Sequence, residues 1–260
     1  MGSEFDADTQ VEATGAGEYA GAVSDRWHAL AGPNGGYLLA MCLQALREDM
    51  PHPDPLVVSA YYLRPAQVGP ASMRTESIRA GRRTSTGQVA MLQEGRERVR
   101  ALATFGDLDR SGSRRLLLDE PPVLPPPEDC GDFVRGAIQR VSIADRIDYR
   151  FAQMPGWVHG KPGGEQQMEF WMRLRDGREP DLLTLPLMVD AAPPVVLDFE
   201  VTDSATVELT VQLRARPAPG WLACRVSTSA VLNGLHDEDF AIWDSTGTLV
   251  AQSRQLAVLP

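Results

Sequence analysis

Leu38-Leu-Ala-Met-Cys-Leu-Gln-Ala-Leu-Arg-Glu-Asp-Met50 is built from good helix formers, stops before Pro51, and gathers its polar residues Gln44, Arg47, Glu48 and Asp49 late. It predicts a helix over 38–50 that is apolar around most of its circumference, and such a helix is buried on nearly every side. Segments of strand length and alternating character follow at Leu56–Leu63, Ala71–Ala80, Thr84–Glu94 and Glu97–Phe105, with a hairpin at Glu94-Gly95-Arg96. A helix too apolar to face water, followed by antiparallel strands, predicts a sheet curled around that helix.

The same order returns about 150 residues later. Glu179–Val189 is a shorter helix in the reading, and Thr206–Leu213, Trp221–Ser229, Asp239–Asp244 and Leu249–Val258 are the strands behind it. Arg98-Val-Arg-Ala-Leu-Ala-Thr-Phe105 in the first copy answers Thr248-Leu-Val-Ala-Gln-Ser-Arg-Gln255 in the second, in periodicity more than in identity. Ahead of the helices stand a hairpin of Val11–Ala13 with Tyr19–Val23, and strands at Ile147–Phe151 and Gln166–Leu174. Residues 1–8 read as disordered. The proline-rich run Asp119-Glu-Pro-Pro-Val-Leu-Pro-Pro-Pro-Glu-Asp129 reads as a stiff connection. The expected organisation is an N-terminal unit over 1–110, a linker over 111–136 and a C-terminal unit over 137–260, with edge strands pairing into one sheet.

A formal charge of −10 argues against a nucleic-acid partner, because backbone recognition needs a positive footprint. Arginines at 64, 74, 79, 82, 83, 96, 98 and 100 crowd the first half, where they read either as solvated strand faces or as a local attraction for a small anion. Cys42, Cys130 and Cys224 are few and far apart, so no disulfide scaffold or zinc site is expected, and Cys42 and Cys224 read as core. No stretch approaches the roughly 20 apolar residues of a bilayer span, and the N-terminus is acidic where a signal peptide would be basic. Membrane insertion is not expected, and the chain reads as cytoplasmic.

The strings Gly32-Pro-Asn-Gly-Gly-Tyr-Leu-Leu-Ala40, Tyr62-Leu-Arg-Pro65, Gly81-Arg-Arg-Thr-Ser-Thr86 and Leu249-Val-Ala-Gln-Ser-Arg-Gln255 resemble the acyl-CoA thioesterase II family and its actinobacterial thioesterase-like relatives. The resemblance covers residues 15–260. It implies an α+β double hotdog, in which two antiparallel sheets each wrap a helix and join as one extended sheet. It further implies acyl-CoA as substrate, hydrolysis by an activated water without metal or cofactor, and self-association as a homodimer. The family's aspartate, strand hydroxyl and final-strand glutamine fall on Asp190, Thr206 and Gln255, although a shifted alignment would choose Thr210. Ala191-Ala-Pro-Pro194 follows the aspartate, which puts Asp190 at the end of its helix.

Those residue types suit the chemistry. A carboxylate takes a proton from water, a hydroxyl and an amide hold the water, and a backbone N–H at a helix start offers a donor to the developing oxyanion. Gly35, Gly36 and Tyr37 are the candidate substrate-binding positions behind the cap residue Asn34; the glycine pair reads equally as a place of close ligand approach and as a tight turn against the sheet. Two other readings stay open. A shell of this shape can hold an acyl chain or acyl-CoA without cleaving it, with Met41, Met91, Met154 and Met168 as candidate lining. Alternatively, His28 with Asp25 can serve a hydratase or dehydratase.

Overall fold

The apolar helix begins three residues earlier than the sequence predicts, because Asn34 caps it: its Oδ1 accepts the Tyr37 N–H at 2.9 Å. The computed structural model describes residues 2–110, 116–133 and 141–259. In chain order the elements are α1 (Glu4–Thr9), β1 (Glu12–Gly15), β2 (Glu18–Val23), the short β3 (His28–Ala29) and β4 (Gly32–Pro33), α2 (Gly35–Glu48), β5 (Asp54–Tyr62), β6 (Gly69–Ala80), β7 (Ser85–Gln93), β8 (Arg96–Gly106), β9 (Gly131–Asp132), β10 (Ile147–Phe151), β11 (Gln167–Leu174), α3 (Thr184–Asp190), β12 (Ala205–Leu213), β13 (Leu222–Ser227), β14 (Val231–Leu232), β15 (Leu235–Trp243) and β16 (Leu249–Val258).

Among the described residues, all strands apart from the two-stranded β3–β4 ribbon join one 14-stranded sheet. Its order is β1-β2-β6-β7-β8-β5-β12-β16-β15-β13-β11-β10-β9, with β14 paired to β15, and every pairing is antiparallel. The halves meet where β5 pairs with β12, in register from Tyr61 opposite Glu208 to Val57 opposite Gln212. Reading outward from that seam gives β5, β8, β7, β6, β2 on one side and β12, β16, β15, β13, β11 on the other. Each series is the strand after a helix, then the fourth, third and second strands, then the strand before the helix. This is the double hotdog.

The sheet curls around α2 and α3, which pack on each other. From Gly36 to Leu43, and again at Ala45 and Leu46, every residue of α2 is buried. A side chain at Gly36 has no room, since a Cβ there would lie 2.1 Å from the Pro186 carbonyl oxygen and 2.9 Å from the Asp190 Cβ. Glycine is what allows the two helices this close. Cys42 and Cys224 are fully buried, and burial pushes both thiols up. Met41, Met91 and Met168 lie in the core.

Several boundaries differ from the sequence reading. Residues 1–8, expected to be disordered, contain most of α1, which buries Phe5 against Trp27 and uses Asp8 to accept from Arg26 Nε at 2.7 Å and Trp27 Nε1 at 2.8 Å. The second helix starts at Thr184 and not Glu179, because Asp181 Oδ1 takes the N–H groups of Leu183 and Thr184 while Thr184 Oγ1 takes that of Asp181. Within the expected linker, Gly131–Asp132 pairs with β10, the Pro125 carbonyl accepts from Trp171 Nε1 at 2.8 Å, and Asp119 pairs with Arg225; residues 111–115 and 134–136 of it lie outside the described residues. Strand β15 begins at Leu235, earlier than Asp239, because its charged start alternates like the rest: His236, Glu238, Phe240 and Ile242 point inward and are buried. Among the described residues no helix is long and apolar enough to cross a membrane.

Candidate active site

Asp190 is the last residue of α3, where four helix carbonyls lack intrahelical partners and a negative charge is disfavoured. The start of α2 offsets this by aiming donors at it. Asn34 Nδ2 donates to Asp190 Oδ2 at 2.7 Å and to the Asp190 carbonyl at 2.8 Å, and the Gly36 N–H donates to Oδ2 at 2.8 Å. Asn34 thus caps one helix with its oxygen and ties down the end of the other with its nitrogen. Burial pushes the Asp190 carboxyl up, the N–H groups of Gly36 and Gly35 and the Asn34 amide pull it back, and the outcome is about 6. Such a group is ionised at neutral pH and still basic enough to take a proton.

A cavity of about 320 Å³ opens beside it. Its walls come from the β3–β4 ribbon and the first turn of α2, from Tyr62–Ala66, from Asp190–Pro194, and from apolar side chains including Phe133, Ile143 and Leu197. Thr206, Glu238 and Gln255 complete it, together with Ser204. Thr206 Oγ1 donates to Gln255 Oε1 at 3.4 Å, and Gln255 Nε2 donates to Glu238 Oε1 at 3.2 Å. The second Glu238 oxygen accepts the Val195 N–H at 3.0 Å. Burial holds Glu238 up at about 8; the Val195 N–H opposes that, and the neighbouring charges of Asp190 and Asp237 add to it.

The structure therefore brings Asp190, Thr206 and Gln255 to one cavity, although each comes from a different element. Thr210 is elsewhere: its hydroxyl pairs with Ser59 Oγ at 2.7 Å across the seam and donates to Glu208, away from the cavity. A register shift in β12 between Thr206 and Glu208 places the two threonines on different faces. Gly35 lines the cavity, with Tyr62 packed so close that a Cβ on the glycine would meet its ring at 2.6 Å. Gly36 gives its N–H to Asp190, so it supports the site from behind. Tyr37 does not reach the cavity: its ring stacks on Trp27, its N–H belongs to the Asn34 cap, and its hydroxyl donates to the Asp8 carbonyl at 2.9 Å. The lining also lacks His28, Met41, Met91, Met154 and Met168.

Sequence reasoning missed Glu238 and Tyr62. The signal for Glu238 was available in the parity of β15, which places it on the same face as Phe240 and Ile242. Tyr62 gave less warning; its hydroxyl is buried without a hydrogen-bond partner among the described residues, and burial keeps it well above the usual phenol range.

Two family models account for nearly the whole chain: an acyl-CoA thioesterase N-terminal domain matches residues 23–106, and an acyl-CoA thioesterase C-terminal domain matches residues 119–259. The chain belongs to the hotdog-fold acyl-CoA thioesterase family. A solved structure of a candidate thioesterase II from Thermobifida fusca superposes on this family member with a TM-score of 0.90 at 31% identity, covering 99% of this chain and 97% of that one. A hot dog protein of unknown function from Alicyclobacillus acidocaldarius also reaches 0.90 at 24% identity, over 100% and 99% of the two chains, which speaks to fold alone. An uncharacterized protein of Mycobacterium tuberculosis is 29% identical over 93% of this chain and 91% of its own length.

Proposed function

We propose that this protein hydrolyses acyl-CoA thioesters to a free carboxylic acid and CoA by direct attack of water, as a member of the type II branch of the family. The observation that carries the reading is the convergence of a carboxylate, a hydroxyl and a carboxamide, from α3, β12 and β16, on one largely apolar cavity. In this scheme Thr206 and Gln255 hold the water and Asp190 removes its proton as oxygen bonds to the thioester carbon. The tetrahedral intermediate then collapses, the C–S bond breaks, and the proton on Asp190 passes to the departing sulfur. The apolar walls receive the acyl chain and leave the water little competition from bulk solvent.

The donors at the start of α2 fit this role, because they hold the carboxylate in place without pulling its proton affinity down to that of a surface aspartate. The test is release of free thiol from acyl-CoAs of increasing chain length, followed with a thiol-reactive dye. Wild type should turn over, and Asp190→Asn should bind acyl-CoA with kcat lowered at least about 10²-fold, the scale of a positioned acid–base group. Equal rates in the two proteins would remove Asp190 as the base. Tight binding of acyl-CoA with no thiol released at any chain length would make the protein an acyl-CoA binder.

A further inference from the structure

Glu238 is a second carboxyl group in the cavity, and the hydrolysis set out above leaves it without a role. We propose that Glu238 is a positioning residue that fixes the direction in which Gln255 presents its carboxamide to Thr206. The assignment rests on the proposed hydrolysis, since it concerns the residues that hold the water.

A carboxamide has a donor end and an acceptor end of nearly the same shape, so its environment decides which way it points. Glu238 and Gln255 are direct cross-strand partners in the β15–β16 ladder. Glu238 Oε2 accepts from the Val195 N–H at 3.0 Å and Oε1 from Gln255 Nε2 at 3.2 Å, and above about pH 8 the ionised carboxylate can only accept. With its nitrogen engaged, Gln255 turns its oxygen to Thr206, which donates to it at 3.4 Å. The Thr206 proton is thereby committed, and the hydroxyl's lone pairs are left to accept from a water. Were the amide reversed, its nitrogen would donate to Thr206 and occupy one of those lone pairs. Glu238 is only 4% exposed and shares its strand face with Phe240 and Ile242, where an apolar side chain would pack at lower cost than a carboxyl group.

Above about pH 8, where Glu238 is a carboxylate, Glu238→Gln tests this at constant shape. The Val195 N–H still requires an oxygen, so the introduced amide turns its nitrogen toward Gln255, donor meets donor, and Gln255 reverses. We expect kcat to fall about tenfold, the scale of one rearranged hydrogen bond, with KM within about twofold. On a Gln255→Ala background the same substitution should have no further effect, because a residue acting only through another is not additive with it. Unchanged kcat in Glu238→Gln, or the full loss repeated on the Gln255→Ala background, overturns the assignment. Should Glu238→Gln fail to fold, the exchange Glu238→Gln with Gln255→Glu restores an acceptor to both Val195 and Thr206. It should work within about tenfold of wild type, and activity as low as that of Gln255→Ala overturns the assignment as well. A wild type inactive on every thioester sinks the proposed function and this assignment with it, whereas an active wild type with an unaffected Glu238→Gln sinks this assignment alone.

Discussion

Both halves place a helix inside a curl of sheet, and both helices end on acidic residues; at the end of α3 a cavity opens beside Asp190. Glu48 and Asp49 close α2 at the exposed surface, where Asp49 accepts a hydrogen bond from Thr75 Oγ1. Asp190 closes α3 against the first turn of α2, where burial raises its proton affinity and three hydrogen bonds from Asn34 and Gly36 fix its position. The last strands diverge in the same way. At the place in β8 that answers Gln255 in β16 by register stands Ala103, fully buried in the core. Asp190, Thr206 and Gln255 at this cavity all come from the second half, and the first half contributes the helix start that holds Asp190. A helix N-terminus and a carboxylate are complementary wherever they meet; here they meet across the two halves.

That meeting depends on Gly36, and Gly36→Ala should break it with the largest effect. A methyl group 2.1 Å from the Pro186 carbonyl oxygen meets backbone, which cannot swing aside like a side chain. The helices must separate, at a cost of about 3 kcal/mol or more, and the Gly36 N–H to Asp190 bond goes with them. Chemical denaturation should show the lost stability, and thiol release should fall along with it. Gly35→Ala is the control, since its methyl group meets the Tyr62 ring, which has side-chain freedom to yield. A Gly36→Ala protein as stable as wild type would mean the α2–α3 contact is looser than described.

The fold was legible in advance because it rests on periodicities that survive without side-chain detail: an all-round apolar helix, alternating strands, and the same order twice. Edges were less legible. Asp181 begins α3 by capping, and the proline before it gave no sign that the first residues of the predicted helix stay outside. Phe5 is one apolar residue in an acidic run, and only the pocket under Trp27 makes it core. In the site, Asp190, Thr206 and Gln255 came from resemblance to a family, because no local pattern marks three residues from three elements as neighbours. The even division over the glycine pair was beyond sequence, since it turns on how close another helix passes. Glu238 was within reach, one residue ahead of the strand read from Asp239.

The contrast between the two acidic helix ends also has a pH signature. In the proposed hydrolysis Asp190 acts as a base only when ionised, so kcat/KM should rise about tenfold per pH unit below about 6 and level off above it. Stability runs the other way. A carboxyl whose folded value is raised holds its proton in the native state while the unfolded chain has released it, so the native state loses stability as pH rises from the ordinary value of 3.8 through about 6. Asparagine does not titrate, and Asp190→Asn should therefore gain on wild type by an amount on the order of 3 kcal/mol between pH 4 and pH 7. A constant stability difference across that range would mean that burial does not raise the Asp190 carboxyl.

The smallest effect separates two threonines on one strand. Thr206 and Thr210 both sit in β12, and the register shift between them sends one hydroxyl to the cavity and the other to the seam, 2.7 Å from Ser59. Thr206→Ala should lower kcat about tenfold while leaving stability within about 0.5 kcal/mol, because the lost group is half-buried and its bond to Gln255 is long. Thr210→Ala should do the reverse, costing up to about 1 kcal/mol in unfolding experiments through the lost cross-seam bond and leaving kcat unaltered. Interchanged results would require the register of β12 to slip and turn each threonine to the other face. The β5–β12 pairing fixes that register from Tyr61 opposite Glu208 to Val57 opposite Gln212, so a slip would have to undo the seam that joins the two halves.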